Sequence, residues 1–268
     1  DGTAERLSAR IIAETRGGKV LVDVLQTNIE NIAQLYAQGL VADLDPVPEA
    51  AAYPETLKGP YWLASDIKFY VVGWNTNRVR PEEEPRAFED LADPRWKGRI
   101  MIDSGDAQFL AAIAKHKYGS DERAFDLLRR IAANDPEFHT GHSELIELLI
   151  AGQRDVCFTC FSHHFPPRLA RGAPLGYALA EGIGLISANA TFKNAPHPHA
   201  ARLFIRWVAS EEGQQAYAQA GQTPAHPDVA PAEKTRPETI YPLTASDMQD
   251  YSRYERQWRE TFRLRAGQ

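Results

Sequence analysis

Short runs of β-branched and apolar residues alternate with amphipathic helical stretches along most of this 268-residue chain. That alternation allows few solutions. Strands separated by helices of ten or more residues build an α/β fold around a largely parallel sheet. Residues 20–25, 69–74, 99–102, 155–161 and 177–185 read as strands. Helical spacing marks 3–15, 122–132, 199–209, 211–220 and a charged, aromatic last helix over 245–264. Three times a short polar loop feeds a helix start: at Gln26-Thr27-Asn28, at Asp103-Ser104-Gly105-Asp106, and at 139–143 ahead of a helix ending at Ile150. In open parallel sheets such loops gather at the carboxyl edge, where ligands bind. Unpaired N–H groups and the helix dipole there favour an anionic or oxygen-rich group. The plainer alternative is ordinary capping by Thr, Asn, Ser and Asp, with no ligand.

Charge narrows the partners. A formal net charge of −6, with both signs interspersed, is wrong for gripping phosphate backbones, so no nucleic acid is expected. A composition of 43% hydrophobic and 25% charged residues is that of a folded domain. No apolar run approaches the roughly 18 residues that a membrane span needs. The chain opens on Asp1 in a polar, helix-like segment without a signal-peptide pattern, as a mature or trimmed chain does. The two cysteines, Cys157 and Cys160, fall in an apolar strand, where residues three apart point to opposite faces. The expectation is therefore two reduced core cysteines. The chain has no G-x-S-x-G elbow, P-loop or H-E-x-x-H pattern, so neither an enzyme nor a cofactor is expected. The rival reading draws Asp103, Asp106, His142 and Ser143 into an acid–base or nucleophilic set.

Some segments are more specific than periodicity. Asp90-Leu91-Ala92-Asp93-Pro94-Arg95-Trp96-Lys97-Gly98-Arg99-Ile100 resembles the stretch that enters the second lobe of binding proteins for ferric ion and related solutes. The run from Phe192 through Asn194-Ala195-Pro196-His197-Pro198-His199 to Ala201, followed by Phe204, Trp207 and Ser210-Glu211-Glu212-Gly213-Gln214, is similar to that family's return to the first lobe. Gly152-Gln153-Arg154-Asp155 matches the turn before its hinge-proximal strand.

The resemblance implies a type II periplasmic-binding-protein fold: two α/β lobes joined by crossing strands, with a solute cleft between them. The first lobe would take 1–72 and 184–230, the second 73–183, and a helix over 231–268 would brace the second lobe. Ala200, Leu203, Phe204, Trp207 and Val208 form an apolar stripe expected to pack on a sheet. Family members begin with a strand, loop and helix ahead of the point matching Asp1. The first lobe is thus expected to lack its N-terminal strand, through truncation or because a partner covers the edge. A monomer is expected, or a dimer if that strand is compensated. The implied setting is periplasmic, or lipid-anchored and extracellular, with the membrane permease of an ABC transporter as partner.

The same resemblance frames the solute. Ferric-binding members hold metal through an acid after the second strand and paired tyrosines on the hinge-proximal strand. Here Asn28 stands in the place of the acid, and Ser162 and His163 in those of the tyrosines. These are poor ligands for a hard ferric ion. Ser104-Gly105 matches the family's anion-holding Ser-Gly pair, and His142-Ser143 opens a neighbouring helix. The expected ligand-binding set is Gln26, Thr27, Asn28, Ser104, Gly105, Asp106, His142, Ser143, Ser162 and His163. The expected solute is small and bears a carboxylate, phosphate or phosphonate. The alternatives are a ferric or other metal ion, or a sensor or enzyme on the same fold. A soft-metal site from His163 and His164 with Cys160 or His142 is disfavoured, because neighbouring side chains on an extended chain diverge. Trp62, Trp74, Phe161 and Tyr177 are either stacking surfaces or core.

Overall fold

The computed structural model describes residues 4–244, 247 and 250–264. Its elements run α1 (Ala4–Arg16), β1 (Val24–Asn28), α2 (Ile29–Ala37), β2 (Lys58–Gly59), β3 (Trp62–Asn75), β4 (Ile100–Asp103), α3 (Ala107–Ala112) and α4 (Asp121–Ala132). They continue with β5 (Glu137–His139), α5 (His142–Ile150), β6 (Val156–Phe161), α6 (Phe165–Leu169), β7 (Leu175–Tyr177) and β8 (Glu181–Thr191). The last are α7 (Pro198–Ala209), α8 (Glu211–Gln219), β9 (Thr239–Pro242) and α9 (Tyr251–Phe262). The chain divides into one compact unit of 1–67 and 185–232 and another of 68–184 and 233–268. Residues 68–72, expected in the first lobe, thus group with the second unit, because β3 pairs there with β6 from Tyr70 onward.

In the first unit, β1 lies antiparallel to β8, with Val24 opposite Thr191 and Asn28 opposite Ser187. The expected strand over 20–25 is displaced. Val20 and Leu21 are irregular, and Leu21 is 64% exposed, whereas Gln26-Thr27-Asn28, expected as a turn, completes β1. Asn28 occupies the N-cap of α2 without a side-chain cap bond. Ile29, Ile32 and Leu35 of α2 are buried, as the helical period requires.

Of the apolar stripe expected on α7, Val208 is buried but the larger residues Leu203, Phe204 and Trp207 are turned outward. Leu203, Phe204 and Trp207 are 68%, 40% and 37% exposed, while Ala201, Ile205, Val208 and Ala209 are buried. A 3.6-residue period allows both stripes, and the α7–α8 junction selects one. The Ser210 hydroxyl caps α8 by accepting from the Gly213 N–H at 3.1 Å. A Cβ at Gly213 would stand 1.9 Å from the Trp207 carbonyl oxygen, so the two helices meet backbone to backbone.

In the second unit, β4 runs parallel to both β5 and β6, and β6 runs antiparallel to β3. Ile100, Met101, Ile102, Val156 and Phe158 are fully buried, which fits near-continuous apolar strands. The C-terminal helix expected over 231–268, with its helical stretch at 245–264, is shorter: β9 at Thr239–Pro242 pairs with β8, α9 starts at Tyr251, and residues 245, 246, 248 and 249 lie outside the described residues. Trp258 of α9 is fully buried and donates its indole N–H to the Ser104 carbonyl at 3.0 Å. Trp62 and Trp74 are buried, with their indoles against Gly59 and Gly176.

The cysteines depart from expectation. Cys157 and Cys160 form a disulfide, with Cα atoms 5.8 Å apart. The reason lies in the register. Val71 faces Cys160 and Gly73 faces Cys157, so Phe158 and Thr159 together oppose the single residue Val72. This β-bulge inserts one residue, resets the alternation and brings side chains three apart onto one face.

Candidate functional site

The sequence-predicted residues fall into two groups, one in each unit. In the second unit, β4 ends at Asp103, and the loop to α3 and the loop from β5 into α5 meet around its carboxylate. Asp103 Oδ1 accepts from the Gly105 N–H at 2.9 Å, and Oδ2 accepts from the Gly141 N–H at 2.6 Å. Ser104 N–H donates to the His139 carbonyl at 2.9 Å, and its hydroxyl lies 3.4 Å from that of Thr140. Ser104, Gly105 and His142 are therefore brought together, whereas Ser143 is exposed on the first turn of α5, and the Gly105 N–H is already taken by Asp103.

Asp106 is buried inside this group. It accepts from the Tyr70 hydroxyl at 2.5 Å, and its other oxygen lies 3.2 Å from His142 Nε2. His142 Nδ1 is 3.7 Å from Asp103. Burial works to lower the His142 pKa, but the paired carboxylates of Asp106 and Asp103 outweigh it and raise the value. Burial, with the like charge of Asp106, pushes the Asp103 carboxyl up. Burial and the Asp106 charge also hold the Tyr70 hydroxyl well above its ordinary range, so it stays protonated and donates.

Rings floor the arrangement. The His142 imidazole stacks on Phe161 at 4.0 Å between centroids, Tyr70 lies nearly parallel to Phe161 at 5.0 Å, and His163 stacks on it at 5.4 Å. The Lys68 ammonium stands 5.9 Å from the Phe161 centroid. Among the described residues, no carboxylate lies within ion-pair distance of it. Lys68 and Tyr70 are two apart on β3 and so share a face.

His163 and His164 do not diverge as expected. Residues 162–164 form a 3₁₀ turn rather than extended chain, which sets the two imidazoles 4.4 Å apart. Burial, then the Lys68 charge, pushes the His163 pKa down to about 4; burial, then His163, pushes His164 down to about 3. Ser162 is buried and its hydroxyl has no partner. Among the described residues no three His, Cys, Asp or Glu side chains are grouped to hold a metal ion, and Cys160 is spent in the disulfide.

In the first unit, Gln26 faces Asn189 across β1 and β8. Its amide donates to the Ser65 hydroxyl and to Asp66, each at 3.0 Å, while the Tyr217 hydroxyl donates to its carbonyl oxygen at 3.2 Å. Asn189 is fully buried, and neither amide atom closes a hydrogen bond. Thr27 and Asn28 follow on the same strand, opposite Ala188 and Ser187. Sequence reasoning missed Lys68, Tyr70 and Thr140 here, and Ser65, Asp66, Asn189 and Tyr217 in the first unit. The signal for Lys68 was present: a lysine inside an apolar strand, two residues before a tyrosine.

Two α/β units linked by β3 and β8, the second with parallel strands, and the likeness to solved binding proteins define a type II periplasmic-binding-protein fold. The profile of the family described as "Bacterial extracellular solute-binding protein" matches residues 21–242, and the chain belongs to that family. It is 26% identical over 239 residues to "Iron uptake protein A1" of Synechocystis sp., covering 82% of this chain and 65% of that protein. It spans about half the length of the other curated relatives it matches. Iron-bound HitA from Pseudomonas aeruginosa superposes with a TM-score of 0.79 at 24% identity, covering 97% of this chain and 88% of the other. AfuA from Actinobacillus pleuropneumoniae, solved with fructose-6-phosphate bound, gives 0.73 at 19% identity, covering 98% and 88%. Among the described residues no helix is long and apolar enough to cross a membrane.

Proposed function

We propose that this chain captures a small anionic solute, bearing a carboxylate, phosphate or phosphonate, and delivers it to the membrane permease of an ABC importer without chemical turnover. It works outside the cytoplasmic membrane, in keeping with its family and with a disulfide, which persists in oxidising compartments. The observation that carries the solute class is Lys68. An ammonium with no carboxylate partner among the described residues stands over Phe161, beside the α5 start, with the Ser104 and Thr140 hydroxyls carried on the adjoining loops and Ser143 on the first turn of α5. Such a point charge with nearby donors suits a phosphate or carboxylate oxygen.

Ferric capture is the second reading, favoured by the names of the relatives. The donor set speaks against it. Two histidines held neutral and a serine are weak ligands for a hard trivalent ion. A thermal-shift screen of sugar phosphates, phosphonates, carboxylates and ferric citrate separates the readings, since a ligand bound only by the native state raises Tm. One selective anionic stabiliser, lost in Lys68→Met, is expected. A shift from ferric salt alone, retained in Lys68→Met, overturns the proposal.

A further inference from the structure

We propose that the Cys157–Cys160 disulfide is a positioning element: it fixes the bulge in β6 and so sets which residues after it face Lys68 and Tyr70. Its bearing on solute capture rests on the function proposed above, but its effect on local geometry does not.

The argument starts from the pairing. North of the bulge, Trp74 faces Val156 and Gly73 faces Cys157; south of it, Val71 faces Cys160 and Tyr70 faces Phe161. The register differs by one residue between these two stretches. In a strand a one-residue slip turns every following side chain to the opposite face. Without the bulge, Phe161 would leave the side it shares with Tyr70 and His142, and the turn carrying Ser162, His163 and His164 would start from the wrong face. The places of Phe161 and His163 in the ring cluster depend on that extra residue.

The bulge carries a cost of its own. Thr159 lies within it, is fully buried, and has an unpartnered hydroxyl. An unpaired buried hydroxyl disfavours the conformation that creates it. Regular pairing across 157–160 would place the two sulfur atoms on opposite faces, beyond bonding reach. The covalent bond is therefore compatible with the bulged register and incompatible with the regular one. The loop it closes is short, so constraint of the unfolded chain contributes little compared with longer loops. Its consequence is a choice between registers. Phe165 supports the same choice from the other side: its ring sits where a Cβ on Gly73 would fall, 2.4 Å from its Cζ, directly opposite Cys157.

The test needs no solute. In the intact chain and in Cys157→Ser/Cys160→Ser, the imidazole resonances of His142 and His163 are titrated by NMR. Cross-strand contacts between Val71 and residue 160 and between Gly73 and residue 157 are measured alongside. The expected result is a folded variant in which the 71–160 contact weakens and His163 titrates at least one pH unit higher, as it leaves its buried place beside Phe161. Inorganic phosphate serves as probe in a parallel melting experiment. A folded variant with unchanged contacts and unchanged titrations overturns the proposal. If the serine pair does not fold, Cys157→Val/Cys160→Ala carries the same measurements. Failure of both to fold also overturns it, since the cysteines would then be general fold determinants. Unchanged titrations and contacts overturn the positioning role whether or not phosphate stabilises the variant; altered titrations with no phosphate effect in either form count against the anionic-solute reading alone.

Discussion

His142 and His163 share one aromatic neighbour yet are driven in opposite directions, and the pH behaviour of the protein follows from that contrast. Burial opposes charge on both, but only His142 has Asp106 and Asp103 beside it. The folded state therefore holds the His142 proton more tightly than the unfolded chain does. That stabilisation is fully present below the ordinary value of about 6.5 and is lost as pH rises through the raised value. Melting temperatures from pH 6 to 9 are expected to fall more steeply for the native chain than for His142→Asn. His163 and His164 behave in the reverse sense. Their depressed values, about 4 and about 3, mean that the folded state keeps them neutral. Their contribution is present above about 6.5 and is lost as pH falls toward those values. His163→Asn/His164→Asn is expected to flatten the acid limb of the same melting curve, and an unchanged limb would count against their burial. Lys68→Met should leave Tm without solute within about 0.5 kcal/mol of native stability, as for other half-exposed substitutions.

At the scale of elements, two glycines report close approaches of different kinds. Gly73→Ala drives a methyl into the Phe165 ring, a buried side chain that must shift, and overpacking of this sort costs about 1–3 kcal/mol. Gly213→Ala drives it into the Trp207 carbonyl, which is backbone and can yield only by separating α7 from α8. Denaturant melts should therefore rank Gly213→Ala as the more damaging. Removing the cap with Ser210→Ala should cost about 1 kcal/mol at the same junction. These elements also show what was legible beforehand. Strands β4 and β6 and helices α4, α7 and α8 stand in the sequence because their periods are clean. The place of β1 was not legible: Val20–Leu25 is the more apolar run, yet pairing with β8 selects the polar Gln26-Thr27-Asn28. Pairing partners far apart in sequence override local composition. The buried face of α7 was hidden because two stripes satisfy one period. The disulfide was hidden because a bulge leaves no mark in a strand's composition. Of the site, the helix-start loops were legible and their partners on β3 were not, since Lys68 and Tyr70 reach them only through strand order.

Across the whole molecule, α9 is the element most exposed to test. Trp258 is fully buried against the second unit and bonded to the Ser104 carbonyl, so its packing is coupled to the loop that holds the candidate site. Trp258→Ala should cost about 3–5 kcal/mol, in the range for a large buried aromatic, whereas Trp258→Phe should keep most packing and lose the hydrogen bond. Equal melting temperatures for the two variants would place the whole effect in the hydrogen bond. The division of the chain has a consequence in time. Each unit is assembled from two stretches of sequence, 1–67 with 185–232 and 68–184 with 233–268. A chain emerging amino end first therefore cannot complete its first unit until residue 232 has emerged, nor its second until α9 has followed. Residues 1–67 must wait, unfinished, while most of the other unit is made, and α9 in turn reaches that unit only after the first has been completed.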